Sequence, residues 1–235
     1  EAIPLNIATP FYEAETLKNK NIVVYDEQGI GDEIFFVGLL KEFMKNVSNK
    51  ITVVCSDRAK TIFNLSLNDV QVFTRNEIKN FNFKFDYEMP IGSFMEYIDY
   101  VNNPIFPLDQ YLFPCKPLKE FWEKELKSHF NGRTIGICWR GGRTAGQVQK
   151  RALSLSTILE KLPIDGNYVN LQYGLVEDEI LSAEKETGRK VLNFSEVNPI
   201  NEIDHQFAIM SNLDHIITVQ GTFVHMAGAI SIPTT

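Results

Sequence analysis

Short apolar runs, each followed by apolar positions at helical spacing, recur along the chain. The run at 21–25, ending Ile22-Val23-Val24-Tyr25, predicts a strand. Gly29-Ile30-Gly31-Asp32 comes next, and then a helical pattern from Ile34 through Met44. A buried strand is predicted at 51–55, a helix at about 57–65 and a short strand at 70–73. Strand, helix and strand without hairpin signals imply a parallel sheet covered on both faces. The stretch 76–117 contains Pro90, Pro104, Pro107, Pro114 and Pro117 and reads as loops with a short helix.

A second cycle follows. Residues 118–130 predict one charged helix directly after Pro117. Strands are predicted at 134–139, 168–172, 190–193 and 215–218, alternating with helices at about 154–161, 176–187, 202–212 and 222–230. Asn201 and Asp204 have the spacing of a capping box for the third of these helices. The pattern is α/β, with two Rossmann-like domains, 1–118 and 119–235, facing a cleft. Such sheets bind ligands beyond the carboxyl ends of their strands. The last residues, 231–235, fall where a strand should begin after an apolar helix, so the C-terminal domain is expected to be incomplete.

Composition narrows the function. The 235 residues are 44% hydrophobic and carry a formal charge of −7, which speaks against nucleic acid as a partner. No apolar run approaches a membrane span and no leader pattern opens the chain, so a cytoplasmic place with at most peripheral contact with a membrane is expected. Cys55, Cys115 and Cys138 are too few and scattered for a disulfide framework or a zinc site, and Cys55 and Cys138 read as buried thiols.

Three segments can carry chemistry. Gly29 and Gly31 form a glycine loop between a strand and its helix, where free N–H groups suit an anion. Ile34 occupies the third position of the dinucleotide fingerprint, so that motif is incomplete. Read alone, Asp32 is as well explained as a first-turn carboxylate favoured by the helix dipole. From Trp139 to Arg151 lie Arg140, Arg143, Lys150 and Arg151 with no acidic residue. That local reversal of sign suits a diphosphate, although a solvated basic loop has the same sequence. Gln220-Gly221-Thr222 again leads from a strand into a helix, with His225 one turn inside. Glu177-Asp178-Glu179 reads as a favourable acidic first turn.

Taken in order, these segments resemble the heptosyltransferase-like, family 9-type glycosyltransferases, in the form found in tetratricopeptide-repeat proteins. The opening 26–32 is similar to that family's "E-Q-G-L-G-D", and Asp86–Ser93 to its mid-domain segment. Residues 135–141 resemble "V-G-L-x-W-x-G", and Arg151-Ala152-Leu153-Ser154-Leu155 resembles "R-S-x-x-L". Asn170-Leu171-Gln172 resembles "S-L-Q", and His225-Met226-Ala227-Gly228-Ala229 resembles "H-L-A-G-A".

The resemblance implies a GT-B fold, with the nucleotide-sugar donor bound by the second domain and the acceptor by the first. It implies an inverting transfer without a metal or other cofactor, to a glycan, lipid-linked or protein acceptor. Asp32 matches the proposed catalytic base. Arg140, Lys150, Arg151, Gln220, Gly221, Thr222 and His225 fall on or beside the donor-binding positions, and Gln172 would lie near the nucleoside. One departure stands out: Gln220 replaces an aspartate and Gly221 a threonine. Two alternatives share the pattern, a non-catalytic nucleotide-sugar-binding module of a larger repeat protein and a nucleotide-sugar epimerase.

Overall fold

Two parallel sheets organise the chain, one in each of two units, Glu1–Phe113 and Pro114–Thr235. The computed structural model describes residues 3–47, 50–98, 109–142 and 151–235. Among these, no helix is long and apolar enough to cross a membrane.

The first unit contains strands β1 (Thr9–Pro10), β2 (Ile22–Tyr25), β3 (Ile51–Cys55), β4 (Gln71–Thr74) and β5 (Tyr87–Pro90). Their order is β1-β5-β2-β3-β4, with every pair parallel. Every residue of β2 and β3 is buried, which is why both strands read as unbroken apolar runs rather than alternating ones. Helices α1 (Ile30–Val37), α2 (Leu40–Asn46), α3 (Lys60–Ser66) and α4 (Arg75–Ile78) connect the strands.

The second unit opens with α5 (Lys116–His129) and holds β6 (Thr134–Cys138), β7 (Asn167–Asn170), β8 (Val191–Leu192) and β9 (His215–Thr218). The order β8-β7-β6-β9 is again wholly parallel. Beside β9 the chain returns at 233–235, where Ile216 N donates to the Pro233 carbonyl and Thr235 N to that of Ile216, both at 2.9 Å. Helices α6 (Leu155–Leu159), α7 (Glu177–Thr187), α8 (Ile203–Met210) and α9 (Thr222–Ala229) link these strands. Trp139, Leu159, Tyr168 and Ile180 centre the core between β6, β7 and helices α6 and α7.

Both sheets wind outward from a central strand and then reverse, giving a switch point between β2 and β5 in one unit and between β6 and β9 in the other. A crevice opens there because consecutive connections leave in opposite directions. The glycine loop after β2, Arg140-Gly141 after β6 and Gln220-Gly221 after β9 all lie at these two points.

Three expectations need correction. The stretch 76–117 is not only loop: it supplies β5, an interior strand seated between β1 and β2. Pro90 is tolerated because it ends that strand. The apolar pattern at 34–44 is two helices, since Gly38 and Leu39 tighten into i to i−3 hydrogen bonds onto Phe35 (3.2 Å) and Phe36 (2.9 Å). The Asn201–Asp204 capping box does not form. Instead Asn198 Oδ1 accepts from Ile200 N at 3.0 Å and Glu202 takes Asn198 N at 2.7 Å, one turn earlier.

Glu88, only 3% exposed on β5, is held by three backbone donors: Asn6 N (3.1 Å), Ile7 N (2.9 Å) and Ala8 N (3.2 Å). That carboxylate staples the leading segment to the sheet edge. Glu88→Ala removes the acceptor for all three groups and is expected to cost about 2–3 kcal/mol, read as a lower midpoint in urea unfolding.

Candidate functional site

In the first unit the carboxyl ends of β2, β3 and β5 are ringed by acidic side chains. Asp26 takes Arg75 Nε at 2.7 Å, and Arg75 also donates to the Asp26 carbonyl at 2.9 Å. Glu27 accepts Gly92 N across the switch point at 2.8 Å. A Cβ at Gly92 would meet that carboxylate, so a side chain there displaces Glu27 from the bond.

The glycine loop differs from its expected conformation. Gln28 takes the left-handed backbone, with φ 58°, whereas Gly29 is extended with φ −122°. The turn is therefore made one residue before the glycines. Gly31 lies inside the first turn of α1 and is buried. Half-buried Asp32 accepts from Gly29 N through Oδ2 at 3.1 Å. It closes the helix N-terminus with one oxygen and leaves Oδ1 outside that bond.

Glu33, which the sequence reading passed over, is 4% exposed and accepts Ser56 N at 2.9 Å. Burial raises its carboxyl above the ordinary value, and the Ser56 hydrogen bond works against that shift. Burial likewise raises Cys55, and pushes Cys138 up to about 12, so both are inert thiols.

The second unit's edge is built around Gln172. Its side chain is 1% exposed, and Oε1 accepts from Trp139 N (3.1 Å), Arg140 N (2.8 Å) and the Cys138 thiol (3.3 Å). Asn170 supports it by accepting Gln172 N at 2.8 Å. Gln172 thus holds the end of β6 while also lining a pocket beyond β7 and β8.

Arg140 pairs with both carboxylate oxygens of Glu179 and lies over the Trp139 ring, 5.7 Å from its centroid. The Trp139 indole donates to the same Glu179 at 2.7 Å. The acidic turn of α7 therefore does more than suit the helix dipole. The sequence signal was weak because the two partners are 39 residues apart. Arg151 is exposed, and its carbonyl accepts Gly141 N at 2.9 Å. Lys150 and Arg143 lie outside the described residues.

At the switch point Gly141 presses on β9's outgoing loop. A Cβ there would stand 2.5 Å from the Gln220 carbonyl oxygen. Gln220 is exposed, Gly221 caps α9, and Thr222 and His225 sit half-buried in its first turn. The first N–H groups of such a helix have no acceptor within it and point outward.

The pocket beyond β7 and β8 is a small recess of about 60 Å3 that opens to solvent. Asn170, Gln172, Asn193 and Gln206 give it polar walls, with Phe194 and Val197 among the apolar ones. Arg140 reaches its rim, since a Cβ on the lining residue Gly174 would stand 3.7 Å from Nη2.

No family model matches the chain. Protein FlbA of Caulobacter vibrioides is 21% identical over 238 residues, covering 94% of this chain and 40% of FlbA. The chain thus spans about two fifths of that relative's length. Among solved structures, the family 9 glycosyl transferase of Veillonella parvula superposes with a TM-score of 0.68 at 11% identity, over 94% of this chain and 82% of that one. The E. coli ADP-heptose LPS heptosyltransferase II gives 0.61 at 11% identity, over 91% and 83%. The chain has the α/β fold of the heptosyltransferases and family 9 glycosyltransferases, as its motifs implied.

Two outcomes follow from this geometry. Gly141→Ala forces the β6 and β9 loops apart and is expected to cost about 1–3 kcal/mol, seen as a melting point lower by roughly 2–4 °C per kcal/mol. For Glu33, the raised carboxyl means that the folded chain keeps a proton the unfolded chain has lost just above the ordinary value of 4.5. Stability from this group therefore falls as pH rises through that window. Glu33→Gln keeps the acceptor for Ser56 N, and its stability relative to the native chain should rise as pH climbs above 4.5 in urea titrations.

Proposed function

We propose that the chain is the catalytic portion of a glycosyltransferase using a nucleoside-diphosphate sugar. In this reading 119–235 binds the donor and 1–118 supplies the acceptor side and the base. The observation that carries it is the conjunction, on a glycosyltransferase fold, of a part-polar pocket beyond β7 and β8 with a guanidinium at its rim. A polar recess beside a cation suits a nucleoside followed by a diphosphate. The donor named for the E. coli neighbour, ADP-heptose, is a compound of this class.

The nucleoside enters the pocket past Gln172. Its diphosphate meets Arg140, Arg151 and the N-terminus of α9 at Gly221 and Thr222, with His225 one turn on; Lys150 belongs to the same assignment. Charge-assisted hydrogen bonds and helix N–H groups then carry the leaving group's charge without a metal. Arg140 exchanges Glu179 for phosphate when donor binds.

Asp32 receives the proton of an acceptor hydroxyl as its oxygen attacks the anomeric carbon. The bond from that carbon to the diphosphate breaks on the opposite face, inverting the configuration and releasing nucleoside diphosphate. Glycans, lipid-linked sugars and protein side chains all offer such a hydroxyl. The Gly29 N–H bond to Oδ2 leaves Oδ1 as the oxygen that would take the proton.

A second reading, a nucleotide-sugar-binding module without turnover, draws support from the exposed Gln220 at a position of aspartate in the family. Two measurements separate the readings. A panel of ADP, GDP, CDP and UDP in EDTA should raise the melting point for at least one base. A ligand at 100 times its Kd adds about 2.7 kcal/mol. Asp32→Asn should then lower sugar transfer by roughly 10²–10⁴ with nucleotide affinity unchanged. Transfer at the native rate removes Asp32 as base, and binding without transfer across acceptors favours the module.

A further inference from the structure

The amide side chains around the pocket form a chain of satisfied acceptors with one exception. Asn170 Oδ1 takes Gln172 N at 2.8 Å, and Asn193 Oδ1 takes Asn170 Nδ2 at 2.8 Å. Gln172 Oε1 is occupied by the backbone N–H groups at the end of β6. Gln206, on α8, lines the same pocket and is 2% exposed, yet its Oε1 has no hydrogen-bond partner among the described residues.

Its neighbours sharpen the contrast. Phe207, Ala208, Ile209 and Met210 are all buried and apolar, so this turn of α8 belongs to the core. A buried polar atom without a partner is costly, and such atoms are rare in folded proteins. A leucine or methionine would fill the position without that cost. An amide acceptor left open here, beside Phe194, Val197 and Ile209, stands in a recess whose other polar walls, Asn170, Gln172 and Asn193, are already bonded to one another or to the backbone. The N–H groups along the edge of a nucleobase are donors that suit such an open acceptor.

We propose that Gln206 is the base-reading residue of this pocket, its Oε1 accepting a hydrogen bond from an N–H on the edge of the donor's nucleobase. The assignment rests on the donor-site reading above and goes beyond it, because it names the side chain that decides which nucleoside diphosphate is preferred. Gln172 does not have that role, since its acceptor is consumed by the backbone. A side-chain amide presents an acceptor next to a donor, and so pairs with a base edge that offers a donor next to an acceptor. A carboxylate presents acceptors only, and so favours guanine, whose N1–H and amino N–H lie side by side.

The test is calorimetric titration of the whole chain with ADP, GDP, CDP and UDP, alongside Gln206→Met and Gln206→Glu. The native chain should prefer one base over the weakest by roughly tenfold, the worth of one well-made hydrogen bond. Gln206→Met should lose most of that ratio while still binding the weaker bases, and should melt no lower than the native chain. Gln206→Glu should move the preference toward GDP, which keeps the test open if the methionine variant fails to fold. An unchanged ratio in Gln206→Met gives the Oε1 to bound water and overturns the proposal. So does a native chain that binds all four alike. A native chain that binds none of them sinks the donor-site reading itself, and this assignment with it.

Discussion

At the carboxyl end of β6 the chain leaves its sheet with the N–H groups of Trp139 and Arg140 still directed inward, and buried N–H groups need acceptors. Gln172 meets both with one oxygen and ties β6 to the outgoing end of β7. The rest of that unit's edge depends on this anchor. It sets where Trp139 enters the core, where Arg140 emerges beside Glu179, and where Gly141 comes to lie against the Gln220 carbonyl. Remove the acceptor and the crevice between β6 and β9 loses one wall.

The first unit solves the same problem with charge instead of amides. Asp32, Glu33, Glu27 and Glu88 each accept backbone N–H groups, at Gly29, Ser56, Gly92 and the segment 6–8. Several of the acidic residues behind the chain's net charge of −7 are thus internal fasteners. The overall charge says correspondingly little about what approaches the surface.

Much of the architecture was legible because parallel strands buried on both faces leave unbroken apolar runs, as at 22–25 and 51–55. β5 escaped because a four-residue strand with a buried glutamate and a proline has neither period nor composition to announce it. Its neighbour β1 is two residues long, and the segment 6–8 just before it is held by that same glutamate's hydrogen bonds, a contact some 80 residues apart in sequence. At the site, motif order located the loops correctly at the switch points. It did not reveal that Gln172 is spent on the backbone, that Arg140 already has an anionic partner, or that Gln206 Oε1 has no partner among the described residues. Each of those facts is a relation between distant residues, and a single residue's type does not encode its partner.

The indole of Trp139 has a further use. The chain has two tryptophans, and both place the indole N–H on a named acceptor: Trp122 on His205 at 3.2 Å and Trp139 on Glu179 at 2.7 Å. Indole emission responds to nearby charge and to the hydrogen bond at nitrogen. Trp139 sits under a guanidinium and against a carboxylate, so any redistribution of that ion pair changes its spectrum. Replacing Trp122 by phenylalanine leaves a single tryptophan at the edge of β6, whose emission then follows the Arg140–Glu179 pair without an added label.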